Sequence, residues 1–204
     1  MYIFKKIVPI LILFLCTSVF YGQRLDSLQL ENETLFTSFE HANTVSADSV
    51  YRLSFKRKLP DNFAQKIVQY PHLQELHIRN MRLKKVPDVV WQLKTLTVLN
   101  MSNNRLDSLS VGIKKLVYLE RLILNRNYIR ILPVEISELS HLSYLDLWSN
   151  LIITFPEEIS KLRHSLKTVD MRVINMGDEY KEILQERLPD TKFLSSRTCD
   201  CKSR

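Results

Sequence analysis

Apolar and polar residues alternate along this chain in short bursts that return at a fixed interval. LQELHIRNMRL begins at Leu73, LTVLNMSNNRL at Leu96, LERLILNRNYI at Leu119 and LSYLDLWSNLI at Leu142, each 23 residues after the one before. A degenerate copy, VYRLSFKRKL, starts at Val50, and a fifth full one, LKTVDMRVINM, starts at Leu166, one residue late through an insertion around His164 and Ser165. Inside a burst, Leu76 and Ile78 alternate with Glu75, His77 and Arg79, which is the period of a strand with one buried face. Leu99 and Met101, Leu122 and Leu124, and Leu145 and Leu147 repeat it. Asn104, Asn127 and Asn150 end three of these strands, and their amides can bond backbone groups of the neighbouring coil as a buried ladder. Met81 and Ile174 stand there in the flanking copies. Pro87, Pro133 and Pro156 fix φ where the chain enters the second half of a repeat, whereas Ser110 breaks that pattern with no evident compensation.

The flanks read as covers for the open ends of such a stack. TLFTSFEHANTVSADSV predicts a short helix, with Thr37 and Glu40 in capping-box spacing and Phe36, Phe39 and Val45 available to plug the first coil. At the other end, Tyr180, Ile183, Leu184 and Leu188 recur at helical spacing. They predict a helix from about Asp178 to Leu188, stopped by Pro189, with a short edge strand around residues 192–194.

The bursts resemble the leucine-rich repeat family, whose pattern is L-x-x-L-x-L-x-x-N-x-L. The second halves VPDVVWQL, LSVGIKKL, LPVEISEL and FPEEISKL are similar to the L-P-x-x-I-x-x-L half of its short 23-residue class, as in small exported bacterial members. The resemblance implies an α/β repeat solenoid: a horseshoe segment with a concave parallel β-sheet, irregular or 3-10 convex segments, an N-terminal helical cap and a C-terminal helix cap. About six coils stack, because one coil cannot bury its own leucines. The expected divisions are a signal peptide at 1–22, a cap at 23–49, repeats at 50–176, and a cap helix with tail at 177–204.

Composition narrows the chemistry. The chain has 204 residues, 45% of them hydrophobic and 25% charged, with a formal charge of +7 and three glycines. Gly22, Gly112 and Gly177 cannot assemble a phosphate loop or dinucleotide fingerprint. No cofactor is expected, nor a metal, since His41, His72, His77, His141 and His164 share no ligand spacing. Lys5 and Lys6 precede an apolar run from Ile7 to Tyr21, shorter than the roughly 20 residues that span a bilayer and suited to a signal-peptide core. Cleavage near Gly22 would place the protein outside the cytoplasm, secreted, periplasmic or at the cell surface, with no stable membrane span; an uncleaved anchor is the alternative. Cys16 lies within the run, preceded by Leu15 rather than the small residue that lipid attachment requires. Cys199 and Cys201 would then remain, as a tail disulfide or two idle thiols.

On a concave sheet the polar positions align in columns: Arg52, Glu75, Val98, Arg121, Tyr144, Thr168; then Ser54, His77, Asn100, Ile123, Asp146, Asp170; then Lys56, Arg79, Ser102, Asn125, Trp148, Arg172; and, at the strand exits, Arg57, Asn80, Asn103, Arg126, Ser149, Val173. Tyr144, Trp148 and Ile123 are expected to be adjacent and solvent-facing, with Arg121, Arg126 and Arg172 around them, a grouping typical of interface anchors. Asp146 and Asp170 complete the expected binding face. These columns hold more bases than acids, so the partner is expected to be an unidentified protein or surface ligand of acidic character. It is not expected to be nucleic acid, and the chain is expected to be monomeric. The sequence therefore points to an exported, non-enzymatic binding protein. Two other readings stay open: an intracellular scaffold or signalling adaptor, and a glycan-active enzyme using the Asp146–Asp170 pair.

Overall fold

Leucines repeated every 23 residues stack into one continuous core. In the computed structural model, which describes residues 24–174 and 176–195, Leu53, Leu76, Leu99, Leu122, Leu145 and Val169 are fully buried and stand side by side in register. Behind them lie Val90, Ile113, Ile136 and Ile159 from the convex side, and Leu96, Leu119, Leu142 and Leu166 from the strand approaches. The expected signal segment and the cysteine pair lie outside the described residues.

The strands are β1 (Leu35–Phe36), β2 (Arg52–Lys56), β3 (Glu75–Arg79), β4 (Val98–Asn100), β5 (Arg121–Ile123), β6 (Tyr144–Asp146), β7 (Thr168–Asp170) and β8 (Lys192–Leu194). All pair in parallel and in chain order within one eight-stranded sheet. Six of the strands belong to the repeats; β8 stands where the edge strand was expected, β1 was not expected, and the eight together span about 34 Å for the ordinary strand spacing. Both additions come from the caps, which extend the ladder and so leave no open backbone edge at the first or last repeat.

Convex segments are short 3-10 turns, at Asp88–Gln92, Val111–Lys115, Val134–Glu138 and Glu157–Leu162. Pro87, Pro133 and Pro156 precede three of them at φ −59°, −67° and −61°, a geometry the pyrrolidine ring pre-sets. Ser110, expected to be uncompensated, instead caps its turn: its Oγ accepts from the Gly112 N–H at 3.1 Å. The residue inserted near His164 is absorbed in the last convex turn, which is one residue longer, and Tyr144 still pairs with Thr168.

The three asparagines lock successive turns together. Asn104 Nδ2 donates to Ile78 O at 2.8 Å and Met101 O at 3.0 Å, while its Oδ1 accepts from Met81 N at 3.0 Å. Asn127 and Asn150 repeat this one coil on, so each amide satisfies buried carbonyls of its own coil and of the preceding one.

The C-terminal helix and edge strand fall where they were expected, whereas the N-terminal cap differs from its expected form. The helix expected in the N-terminal flank contracts to α2 (Phe39–Ala42), after α1 (Ser27–Asn32) and β1. Ser38 rather than Thr37 caps α2, accepting from His41 N at 3.2 Å. Phe36 and Phe39 are buried as expected, and Phe39 packs on Phe55, Phe63 and Tyr70 with centroids 4.9–6.3 Å apart, whereas Val45 stays exposed. The first coil carries α3 (Phe63–Ile67), and α4 (Asp178–Arg187) closes the far end. Of the four residues expected to face inward, Leu184 and Leu188 are buried, Ile183 is half-buried and Tyr180 is exposed, because a ten-residue helix lying on a sheet edge buries a single narrow stripe.

Candidate functional site

The concave residues of β5 to β7 come together as aligned. Arg121 pairs with Tyr144 and Tyr144 with Thr168 along the first column, and Ile123 pairs with Asp146 and Asp146 with Asp170 along the second. Trp148 follows β6, with its N–H donating to Asp146 Oδ1 at 3.0 Å and its carbonyl accepting from Arg126 N at 2.8 Å. Two guanidiniums approach its ring, Arg126 with Cζ at 4.6 Å from the centroid and Arg172 at 5.7 Å. Arg121 lies 5.2 Å above the ring of Tyr144.

This cover changes the expected exposure. Tyr144, Trp148 and Ile123 are half-buried rather than solvent-facing, because the arginines lie over the rings and the sheet curves around them. Asp146 and Asp170 are buried, and their oxygens are engaged. Asp146 Oδ2 accepts from Asn125 Nδ2 at 2.5 Å; both Asp170 oxygens accept from Arg172, at 3.0 Å from Nε and 2.7 Å from Nη2. Asn100, Asp146 and Asp170 each accept from the N–H two residues on, so one column of short polar side chains forms the turns that end β4, β6 and β7. Burial pushes the Asp146 carboxyl above the usual range, opposed by its bonds from Asn125 and Trp148 and aided by the Asp170 charge.

The other half of the concave face is roofed by α1. A cleft of about 230 Å³ lies between Leu25, Leu30 and Glu31 on one side and Glu75, His77 and Val98 on the other. Glu75 accepts from Arg52 Nε at 2.6 Å and from His77 Nε2, while Arg52 Nη1 reaches up to the Glu31 and Glu33 carbonyls at 3.0 Å. Burial works against the Glu75 charge, but these two donors prevail and hold its carboxyl down to about 2.

The leucine rich repeat family matches residues 71–129. A leucine-rich repeat protein of Leptospira interrogans superposes with a TM-score of 0.68 at 28% identity, over 81% of this chain and 47% of that one. The fold is a leucine-rich repeat solenoid. The ectodomain of the plant membrane receptor kinase GASSHO1/SCHENGEN3 from Arabidopsis thaliana, solved with CASPARIAN STRIP INTEGRITY FACTOR 2, is similar at 26% identity and TM-score 0.56, over 76% of this chain and 19% of that chain. InlP of Listeria monocytogenes shares the fold, at 20% identity and TM-score 0.53 over 70% of this chain and 36% of its own. This chain therefore spans about half the length of the first of these proteins and less of the others. No curated protein matches its sequence significantly.

Leucine-rich repeats are commonly used for protein–protein recognition. Among the described residues, no three His, Cys, Asp or Glu side chains form a cluster that could hold a metal, and no helix is long and apolar enough to cross a membrane. One group of side chains escaped the sequence reading. Arg82, Arg105 and Tyr128 follow the strand-ending position in successive repeats and line a groove with Arg57, Asn80 and Asn103. The same 23-residue period, taken past the strands to the next position, marks them.

Proposed function

We propose that this chain is an exported, non-enzymatic recognition module whose concave face binds a protein partner through Trp148 and Tyr144. The observation that carries this is the Trp148 ring approached by both the Arg126 and Arg172 guanidiniums, beside the concave sheet and still partly accessible. A large ring with few rotatable bonds gains contact area at low entropic cost. Arg172 is spent on Asp170, whereas Arg121 and Arg126 have no carboxylate partner among the described residues. They favour acidic groups around an apolar contact, and act chiefly on orientation and association rate because salt screens them. Asp146 and Asp170 we assign to holding Trp148 and Arg172 in place, which removes the need for a catalytic pair. The Arabidopsis ectodomain, solved in complex with a factor, supports the same kind of use here. Residues 1–22 we read as the export signal, with the caps at 23–49 and from 177 onward flanking the repeats.

The test is capture of partners by the chain beside two variants. Trp148→Ala should weaken binding by roughly 2 kcal/mol or more with an unchanged melting temperature, while the convex Lys115→Ala should bind as before. A partner retained in full by Trp148→Ala would move recognition off this face. Amino-terminal sequencing of the expressed protein checks export: a chain beginning near Gln23 supports it, and an intact Met1 in the cytosol overturns it.

A further inference from the structure

The groove at the strand exits differs in chemistry from the concave face. It encloses about 450 Å³ and is lined by Arg57, Asn80, Arg82, Asn103, Arg105 and Tyr128, with no carboxylate and no aliphatic side chain among its lining residues. Among the described residues none of the three arginines has an ion-pair partner, and all three are exposed. Guanidiniums from neighbouring coils therefore stand unneutralised along one edge, in the fork geometry that suits carboxylate or sulfate oxygens.

The backbone singles out one of them. Arg57, Asn80, Asn103, Arg126, Ser149 and Val173 have φ between 54° and 75°, and they occupy one position of the repeat, so the turn itself requires that conformation. Arg82 also stands at φ 56°, yet Arg105, Tyr128 and Leu151, which occupy its position in later coils, do not. The repeat does not account for the left-handed residue at Arg82, which places its side chain in the groove.

The amides add selectivity beyond charge. Asn103 Nδ2 donates to Asn80 Oδ1 at 2.6 Å, leaving the Asn80 amide N–H groups and the Asn103 carbonyl oxygen without partners in that bond. A donor and an acceptor side by side match hydroxyl groups, which both give and accept hydrogen bonds. Tyr128, half exposed, supplies a flat face. An extended peptide would find little here, because it takes affinity from main-chain hydrogen bonds and specificity from side-chain pockets. The N–H groups of Asn80, Asn103, Arg105 and Tyr128 are already bonded to Ser102, Asn125, Leu83 and Leu106 carbonyls, and no apolar pocket is offered. Single-stranded nucleic acid stacks successive bases on several aromatics, and Tyr128 is the one ring lining the groove.

We propose that the strand-exit groove of Arg57, Arg82, Arg105, Asn80, Asn103 and Tyr128 binds an acidic polysaccharide, with arginines on its carboxylate or sulfate groups and the asparagine pair on its hydroxyls. This site is independent of the aromatic one. Titrating the full chain at low salt with polygalacturonate and with dextran sulfate separates the two sources of charge, with poly-glutamate and oligo-thymidine as rival polyanions. At least one polysaccharide should bind at least tenfold more tightly than either rival. Arg82→Ala combined with Arg105→Ala should lose at least tenfold while melting as the parent, since both side chains are exposed. Arg105→Lys should lose several-fold despite keeping its charge, and Trp148→Ala should bind the polysaccharide unchanged. The proposal falls if neither polysaccharide binds, if poly-glutamate or oligo-thymidine binds as well, or if the double variant or Arg105→Lys retains full affinity.

Discussion

A side chain on a left-handed backbone has to be tolerated by its surroundings, and this solenoid demands that conformation once per coil. Asparagine suits it, since a short polar side chain can bond locally, and Asn80 and Asn103 fill two of the six positions. Val173 fills another at φ 60°, with 64% of its surface exposed. A β-branched residue is the least suited to that region, and here it gains little burial in return. Val173→Asn should therefore stabilise the protein by about 1 kcal/mol, seen as a higher denaturant midpoint at unchanged slope. An unchanged or lower midpoint would mean that packing at this turn outweighs the strain. The sequence showed Val173 as one more polar-column residue, because periodicity reports which face a side chain occupies and not the sign of φ. The same blindness applies to Ser110. It breaks the proline pattern, yet its hydroxyl caps the turn by accepting from the Gly112 N–H.

At the scale of elements, the leucine period marked the strands and convex turns, and helical spacing marked the closing helix, although of that pattern only Leu184 and Leu188 are buried. The spacing missed β1, α3 and, over the concave face, α1. Residues 24–34 carry only Leu25, Leu28 and Leu30 as large apolar groups, too few to set a helical period. The end signal was nonetheless present: Asp26 and Gln29 form a reciprocal capping box, Gln29 N donating to Asp26 Oδ1 at 2.8 Å and Asp26 N to Gln29 Oε1 at 3.0 Å. What holds α1 over the concave face is polar: Gln74 exchanges two bonds with the Leu25 backbone, and Arg52 bridges Glu75 to the end of the helix. Because the Glu75 carboxyl sits at about 2 when folded, below its ordinary value of about 4.3 when unfolded, the folded state prefers the ionised form. Its contribution is complete above the unfolded value and is lost as pH falls from there toward the folded one. The stability gap between the parent and Glu75→Gln should accordingly be wide at pH 6 and narrow progressively between about pH 4.5 and pH 2. Thermal melts of both proteins across that range measure it, and a gap independent of pH would show that Glu75 is not held as an ion by Arg52 and His77.

At the scale of the whole molecule, stability belongs to the stack, since each coil contacts only its neighbours and the two end coils depend on their covers. The front cover is an aromatic plug around Phe39; the rear one is thinner. There α4 and the residue that ends it contribute Leu184 and Leu188 to the core, the Thr191 hydroxyl donates to Leu166 O at 2.7 Å, and Met171 N donates to Leu194 O at 2.9 Å. Without them Leu166, Val169, Met171 and Ile174, now buried, would face water, and β7 would present a free edge to other chains. Two buried leucines alone are worth roughly 4–10 kcal/mol, and at roughly 2–4 °C per kcal/mol for a domain of this size their loss corresponds to about 10 °C or more. Deleting residues 177–204 should lower the melting temperature by at least that amount and shift the protein to larger species in size-exclusion chromatography. The loss should start at the rear, so hydrogen exchange should accelerate first at β7 and its convex turn while β3 and β4 stay protected, because in a one-dimensional stack the damage spreads by neighbours. A truncated chain that remains monomeric and melts with the parent would mean that the last repeat seals itself, and that α4 is a passenger on the sheet edge.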